Sequence, residues 1–204
     1  MWALCFDCEG VLIPEIWLEV QRRTGIEELK ITTREEPDYD KLMKFRIDIL
    51  KRNNVRLDDI KRYVAEMKPL DGAVSMLTNL YAKCPRVFIL TDTFENYAVP
   101  MFHQLGQFVV FCHSLAIDED GFISGHILRL TDQKRKAVES LTNLNFKCIA
   151  IGDSFNDISM LKAAKVGILF RPSEKVKSAH PEFPVIETHQ ELEKKIISIL
   201  QQSE

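Results

Sequence analysis

Short, unbroken apolar runs alternate with stretches of helical spacing along most of this chain. Five runs stand out: Trp2–Phe6, Val87–Leu90, Phe108–Cys112, Cys148–Ile151 and Val166–Phe170. They are rich in Val, Ile, Leu and Phe with little polar alternation, the pattern of strands covered on both faces. Helical patterns lie between them. One runs through Leu77 and Leu80 with Asp71 as a candidate cap, one covers Glu95–Leu105, one runs through Val138 and Leu141 with Asp132 as a candidate cap, and one covers Met160–Ala164. His189–Leu200 reads as a closing amphipathic helix with Leu192, Ile196, Ile199 and Leu200 on one side. Repeated strand–helix–strand order predicts an α/β fold, a Rossmann-like parallel sheet flanked by helices.

Two segments break the rhythm. Leu115–Leu130 reads as a β-hairpin extension turning at Glu119-Asp120-Gly121. Pro14 to about Pro69 contains no strand pattern, but helical spacing in Ile16–Arg23, Tyr39–Asn53 and Leu57–Met67, with the charged, turn-rich "TTREEPDYD" between the first two. The expected organisation is an α/β core of residues 1–13 and 70–204 with a small helical cap domain, 14–69, inserted after the first strand. The plainer alternative is that these helices belong to the core's own helical layer.

Composition narrows the class. The 204 residues, 46% hydrophobic and 28% charged, suit an ordinary globular protein, and a formal net charge of −3 gives no electrostatic reason to expect nucleic acid or an anionic membrane as partner. No apolar run approaches the roughly 20 residues that cross a bilayer. No basic region followed by an apolar stretch and a cleavage site opens the chain, so a cytoplasmic location is the expectation. The odd cysteine count (Cys5, Cys8, Cys84, Cys112, Cys148) forms no disulfide framework. Cys5 and Cys8 have C-x-x-C spacing but no second pair to complete a zinc site, and Cys84, Cys112 and Cys148 read as core. The five histidines show no ligand spacing, and Trp2, Trp17 and Phe45 read as packing residues.

The chemistry sits where the apolar runs stop. Ligands of open parallel sheets bind beyond the carboxyl ends of the strands. Asp7 and Glu9 follow the first run, Thr91 and Asp92 the second, and "GDSFND", with Asp153, Asn156 and Asp157, the fourth; Lys134 lies near the start of the helix after the hairpin. Acids placed this close repel one another, which a fold tolerates where a cation or a reaction needs them. Hard oxygen ligands such as Asp7 and Asp153 suit Mg²⁺. The Thr91 hydroxyl and nearby amides can hold phosphate oxygens, Lys134 can neutralise charge around phosphorus, and Asp7 can serve as a carboxylate nucleophile.

"DCEGV", "TD", Lys134 and "GDSFND" resemble, in order and spacing, the four motifs of the haloacid dehalogenase-like phosphatases, over nearly the whole chain. Within that family, "DCEGVLIPEIW", "TGIEELKITTREEPDYDKLMKFRIDIL", "KPLDGAV", "ILTDTFENY" and "IGDSFNDISML" resemble the bifunctional phosphoserine phosphatase/homoserine phosphotransferase branch. The resemblance implies Mg²⁺-dependent hydrolysis of phosphoserine and transfer of its phosphoryl group to homoserine, both small-molecule substrates, through an aspartyl phosphate. It implies Asp7 as nucleophile and Glu9 as acid and base. Mg²⁺ would lie on Asp7, Asp153 and the Glu9 backbone carbonyl. Thr91 and the Asp92 segment would meet the phosphoryl group, Lys134 would hold nucleophile and phosphate, Asn156 would stand near substrate, and Asp157 would support from behind. In the cap, Glu15 would meet the substrate ammonium and Arg46 its carboxylate. Glu9 departs from the Asp usual in the broad family, and its extra methylene bears on how well water is activated compared with an alcohol.

Singly, these groups have plainer readings. Asp7, Thr91, Asp153 and Asp157 could be caps, Glu9 a solvated loop acid, Lys134 one of several surface lysines, and Glu15 and Arg46 surface charges. Other functions fit parts of the pattern: a phosphatase for a sugar or nucleotide monoester, a signalling receiver, or an inactive binding relative. Receivers are shorter, carry their phosphorylated Asp mid-chain and lack the 14–69 insert.

Overall fold

The structure is a computed structural model that describes residues 1–31, 36 and 39–202. Most of "TTREEPDYD" therefore lies outside the described residues. β1 (Trp2–Phe6) is followed by three helices, α1 (Ile16–Thr24), α2 (Tyr39–Arg52) and α3 (Leu57–Glu66), with a 3₁₀ turn at Glu27–Lys30. Then come α4 (Ala73–Lys83), β2 (Val87–Phe94), α5 (Glu95–Leu105), β3 (Val109–Ile117), β4 (Ile123–Ile127), α6 (Gln133–Asn143) and β5 (Lys147–Gly152). α7 (Ile158–Ala163), β6 (Val166–Phe170), α8 (Glu174–Ala179), β7 (Val185–Ile186) and α9 (His189–Gln201) complete the chain.

Among the described residues the strands form one sheet in the order β4-β3-β2-β1-β5-β6-β7. Every pairing is parallel except β3 with β4. β1 sits centrally because it is apolar on both faces. Leu4 and Phe6 join the cluster that includes α4, α5 and α9, and Ala3 and Cys5 join the cluster beneath α6 and α7. Its fully buried side chains leave no polar face for solvent.

Several sequence expectations change. The hairpin is not a separate extension: β3 is one strand whose first half pairs with β2 and whose second half pairs with β4. It begins at Val109 rather than Phe108. Thr91 and Asp92 lie within β2 rather than beyond it, in a stretch where the register with β3 breaks between Leu90 and Phe94. Asp71 does not cap α4, whose N-cap is Gly72 at φ +86. Asp132 stands at the N-cap of α6 at φ +51 without capping it; its oxygens take Ser159 Oγ and Arg135 Nε instead. α8 and the two-residue β7 carried no readable period, being too short to show one. All five cysteines are free, and Cys112 is half-buried rather than core.

No strand lies between Pro14 and Pro69 among the described residues. The helices there are not an isolated knob: α3 packs on α5, α2 on β4, and their apolar residues share one cluster with the core face. The two ends of the segment meet, with Leu70 N–H donating to Leu12 O at 2.9 Å. Buried His189 lies between Val11 O (2.7 Å) and Asp71 O (2.8 Å), tying α9 to both ends. Among the described residues no helix is long and apolar enough to cross a membrane.

Candidate active site

β1 delivers Asp7. Its N–H continues the ladder to Ile151 O at 2.9 Å, after which the chain turns sharply, with Leu12 and Ile13 N–H both donating to Cys8 O. Gly10 is in the left-handed region at φ +79, and a Cβ there would stand 2.7 Å from Asp153 Oδ2. The glycine of "DCEG" thus lets the first and fourth motifs touch. Gly152 does the same for its own loop: a Cβ would fall 2.3 Å from Asp157 Cβ.

A cleft of about 740 Å³ opens above the carboxyl ends of the strands. It brings together Asp7, Glu9, Glu15, Arg46, Thr91, Asp92, Lys134, Asp153 and Asn156. Asp157 is fully buried behind it. Lys134 Nζ donates to Asp7 Oδ1 at 2.7 Å and Asp157 Oδ1 at 2.8 Å, and lies 3.3 Å from Asp92 Oδ2. Burial works against the ammonium, but Asp157, Asp7 and Asp92 outweigh it and hold the group well above its ordinary value. Asp157 Oδ2 accepts from Asp153 N, Ser154 N and Ser154 Oγ at 3.0–3.1 Å. Both Asp157 oxygens are therefore committed inside the protein.

The carboxylate oxygens of Asp7, Asp153 and Asp157 lie within 4.8 Å of one another. Burial and the Asp157 charge push the Asp7 carboxyl well up. Burial, Asp157 and Glu15 push Asp153 up to about 7. One ammonium leaves this cluster with excess negative charge, which is the condition that a bound cation relieves. With Asp157 saturated by internal donors, Asp7 and Asp153 are the carboxylates suited to hold it.

Glu9 Oε2 accepts the N–H of Ile16, the first residue of α1, at 2.8 Å. Burial raises its carboxyl above the ordinary range, while the Ile16 amide and Thr93 hydroxyl favour the anion. Thr91 is buried on the cleft wall. Asp92, whose burial is outweighed by Lys134, His113, Asn156 and Gln133, stays well below the usual carboxylate range. Asn156 Nδ2 donates to Asp92 Oδ2 at 3.2 Å. Arg46 is only 5% exposed. Its guanidinium lies 4.5 Å over the Trp17 ring and donates to Ile31 O at 2.9 Å, while Nε has no partner among the described residues. Glu15 is at the N-cap of α1 without capping it.

Sequence reasoning passed over Gln133 and Tyr39, gave His113 no ligand role and read Trp17 as a packing residue; all four also line the cleft. Gln133 adjoins Lys134 and was findable by proximity. Trp17 both packs, edge-on to Tyr97, and carries Arg46.

A deep anionic cluster with one buried lysine, at the carboxyl ends of a parallel sheet, agrees with the family comparison. Residues 2–165 match the model of the haloacid dehalogenase-like hydrolases, and the chain belongs to that family of enzymes. It is 43% identical to the phosphoserine phosphatase ThrH of Pseudomonas aeruginosa over 197 residues, 97% of this chain and 96% of that one. It is also 43% identical to a phosphoserine phosphatase of Pseudomonas syringae pv. tomato over 193 residues, 95% and 81% of the two chains. In fold it is similar to a substrate-bound phosphoserine phosphatase complex, with a TM-score of 0.75 at 19% identity over 92% of this chain and 93% of that one.

Proposed function

We propose that the protein is a Mg²⁺-dependent phosphoserine phosphatase that also transfers the phosphoryl group from phosphoserine to homoserine. The observation that carries this reading is the pairing, in one cleft, of a lysine-held buried carboxylate with a buried arginine that keeps an unused donor. The 43% identity to phosphoserine phosphatases over nearly the full chain supports it.

Asp7 attacks phosphorus as the ester P–O bond breaks, forming a phosphoaspartate. Glu9 gives its proton to the departing serine oxygen, a role suited to a carboxyl raised by burial. Water or the homoserine hydroxyl then gives its proton back to Glu9 and attacks phosphorus, releasing free Asp7. Lys134 holds Asp7 throughout and offsets charge on the phosphoryl oxygens, with Thr91 and the Asp92 segment as their hydrogen-bonding wall. Asp7, Asp153 and the Glu9 backbone carbonyl would hold Mg²⁺, which would supply positive charge for phosphoryl transfer. Arg46 takes the substrate carboxylate and Glu15 its ammonium, one charge of each sign for an amino-acid phosphate. Residues 14–69 act as a lid over the cleft.

The test is a panel of phosphoserine, sugar, nucleotide and aryl phosphates with Mg²⁺, with and without homoserine, following free and transferred phosphate. Phosphoserine should be preferred and homoserine should divert phosphate from water. Asp7→Asn should lower turnover by about 10³-fold or more. Equal turnover across the panel, or an active Asp7→Asn protein, would refute the reading.

A further inference from the structure

Between Leu90 and Phe94 the pairing of β2 with β3 is interrupted, and the backbone there is held by side chains instead. Three side chains reach three neighbouring backbone groups. Thr91 Oγ1 accepts from Thr93 N at 3.3 Å. Gln133 Nε2, from the first residue of α6, donates to Thr91 O at 2.5 Å. Tyr39 Oη, from the first residue of α2, donates to Asp92 O at 2.8 Å. One brace thus comes from the core and one from the inserted helices.

The Gln133 amide can face only one way. Its Oε1 accepts from Arg129 Nε at 3.1 Å, and Arg129 Nε can only donate. Its Nε2 therefore serves Thr91 O and, at 3.3 Å, Asp92 Oδ1. Gln133 is 2% exposed, so water does not compete for these bonds. His113 packs against the same amide: its Nδ1 accepts from Arg129 N at 3.1 Å, and its Nε2 lies 3.1 Å from Gln133 Nε2 and 3.5 Å from Asp92 Oδ1. The peptide between Thr91 and Asp92 is planar and trans, so its C=O and N–H point in opposite directions. Holding Thr91 O against Gln133 turns the Asp92 N–H away from Gln133. Holding Asp92 O against Tyr39 fixes the next peptide in the same manner.

We propose that Gln133 and Tyr39 are positioning residues that set the two peptide planes of the Thr91–Thr93 bulge, presenting its amide hydrogens and the Thr91 hydroxyl to the phosphoryl group of the substrate. This rests on reading the cleft as the phosphoryl-transfer site. Because Tyr39 belongs to the inserted segment, the phosphoryl-binding wall is completed only while α2 is seated on the core. The ester's leaving group is not involved: the effect is confined to the phosphoryl end.

Gln133→Met keeps the volume and removes the donor, and Tyr39→Phe removes one hydroxyl. With Mg²⁺ supplied, each should lower kcat about tenfold for both phosphoserine and 4-nitrophenyl phosphate. Each should weaken binding of inorganic phosphate, followed by calorimetry, by a similar factor. Since the two braces act on adjoining peptides, the double variant should lose less than the product of the single losses. Arg46→Met is the contrast, expected to impair phosphoserine more than 4-nitrophenyl phosphate. Wild-type-like turnover and phosphate affinity in both variants would overturn the proposal, as would a loss confined to phosphoserine. If the wild-type protein hydrolysed none of these esters, the functional reading would fall, and phosphate affinity of the variants would still decide the brace. Tyr39→Phe provides that decision if Gln133→Met does not fold.

Discussion

Lys134 carries one positive charge into a buried space where Asp7, Asp157 and Asp92 all lie within 3.3 Å of its nitrogen. Removing it leaves those carboxylates without their shared cation. Lys134→Met should cost about 3–5 kcal/mol of stability in denaturant unfolding, the usual penalty for breaking a buried ion pair. Mg²⁺ should restore part of the loss by neutralising the same charges. A loss near zero without metal would mean that the carboxylates are protonated rather than paired. Glu9 poses a finer question. Its side chain reaches the Ile16 amide, and Glu9→Asp shortens that reach by one methylene. The shorter acid should raise hydrolysis relative to transfer to homoserine; an unchanged ratio would show that the acid's position does not set the acceptor. These residues were legible because motif acids follow apolar runs. His113 was not, and Gln133 was so only through its place beside Lys134, because their roles depend on partners 16–21 and 41–42 residues away in chain that only the folded sheet brings together.

At the scale of the element, α1 carries Glu19 between Arg22 and Arg23, one helical turn away. The Arg22 hydrogen bond, with Arg23 beside it, lowers the Glu19 carboxyl from 4.5 to about 2. A depressed folded-state value means that the stabilisation is present in full above about 4.5 and is lost as the pH falls toward 2. The stability gap between wild-type and Glu19→Gln should therefore close over that window, and titration of Glu19 by NMR should show its midpoint near the lower end. A gap independent of pH would contradict the pairing. Apart from α8, the helices themselves were readable to within one or two residues. Their caps were not: Asp71 and Asp132 have the right chemistry in the right place, but backbone at φ +86 on Gly72 and φ +51 on Asp132 takes the carboxylates away from the helix ends.

For the whole molecule, the inserted segment leaves and re-enters the core at points joined by the Leu70–Leu12 hydrogen bond, a geometry suited to a hinge. Its α3 packs on α5, so movement has to be accommodated by that apolar contact. If residues 14–69 form a lid, a phosphate mimic with Mg²⁺ should slow amide exchange in α1 and α2 relative to the free protein. Identical exchange in both states would remove the lid. Mg²⁺ alone should raise the unfolding temperature, and Asp153→Asn should abolish most of that rise, since a ligand bound only to the folded state stabilises by mass action.

The sequence by itself determined the α/β order and the set of acids gathered around Lys134. Apolar periodicity and strand-end chemistry are local properties, written within a few residues of each other. Only the tertiary structure decided that β3 serves two neighbours, that Asp157 is saturated from within, and that Gln133 and Tyr39 brace the bulge of β2. Those outcomes depend on which distant backbone group is left without a ladder partner, and a hydrogen bond between remote residues leaves no period in the chain.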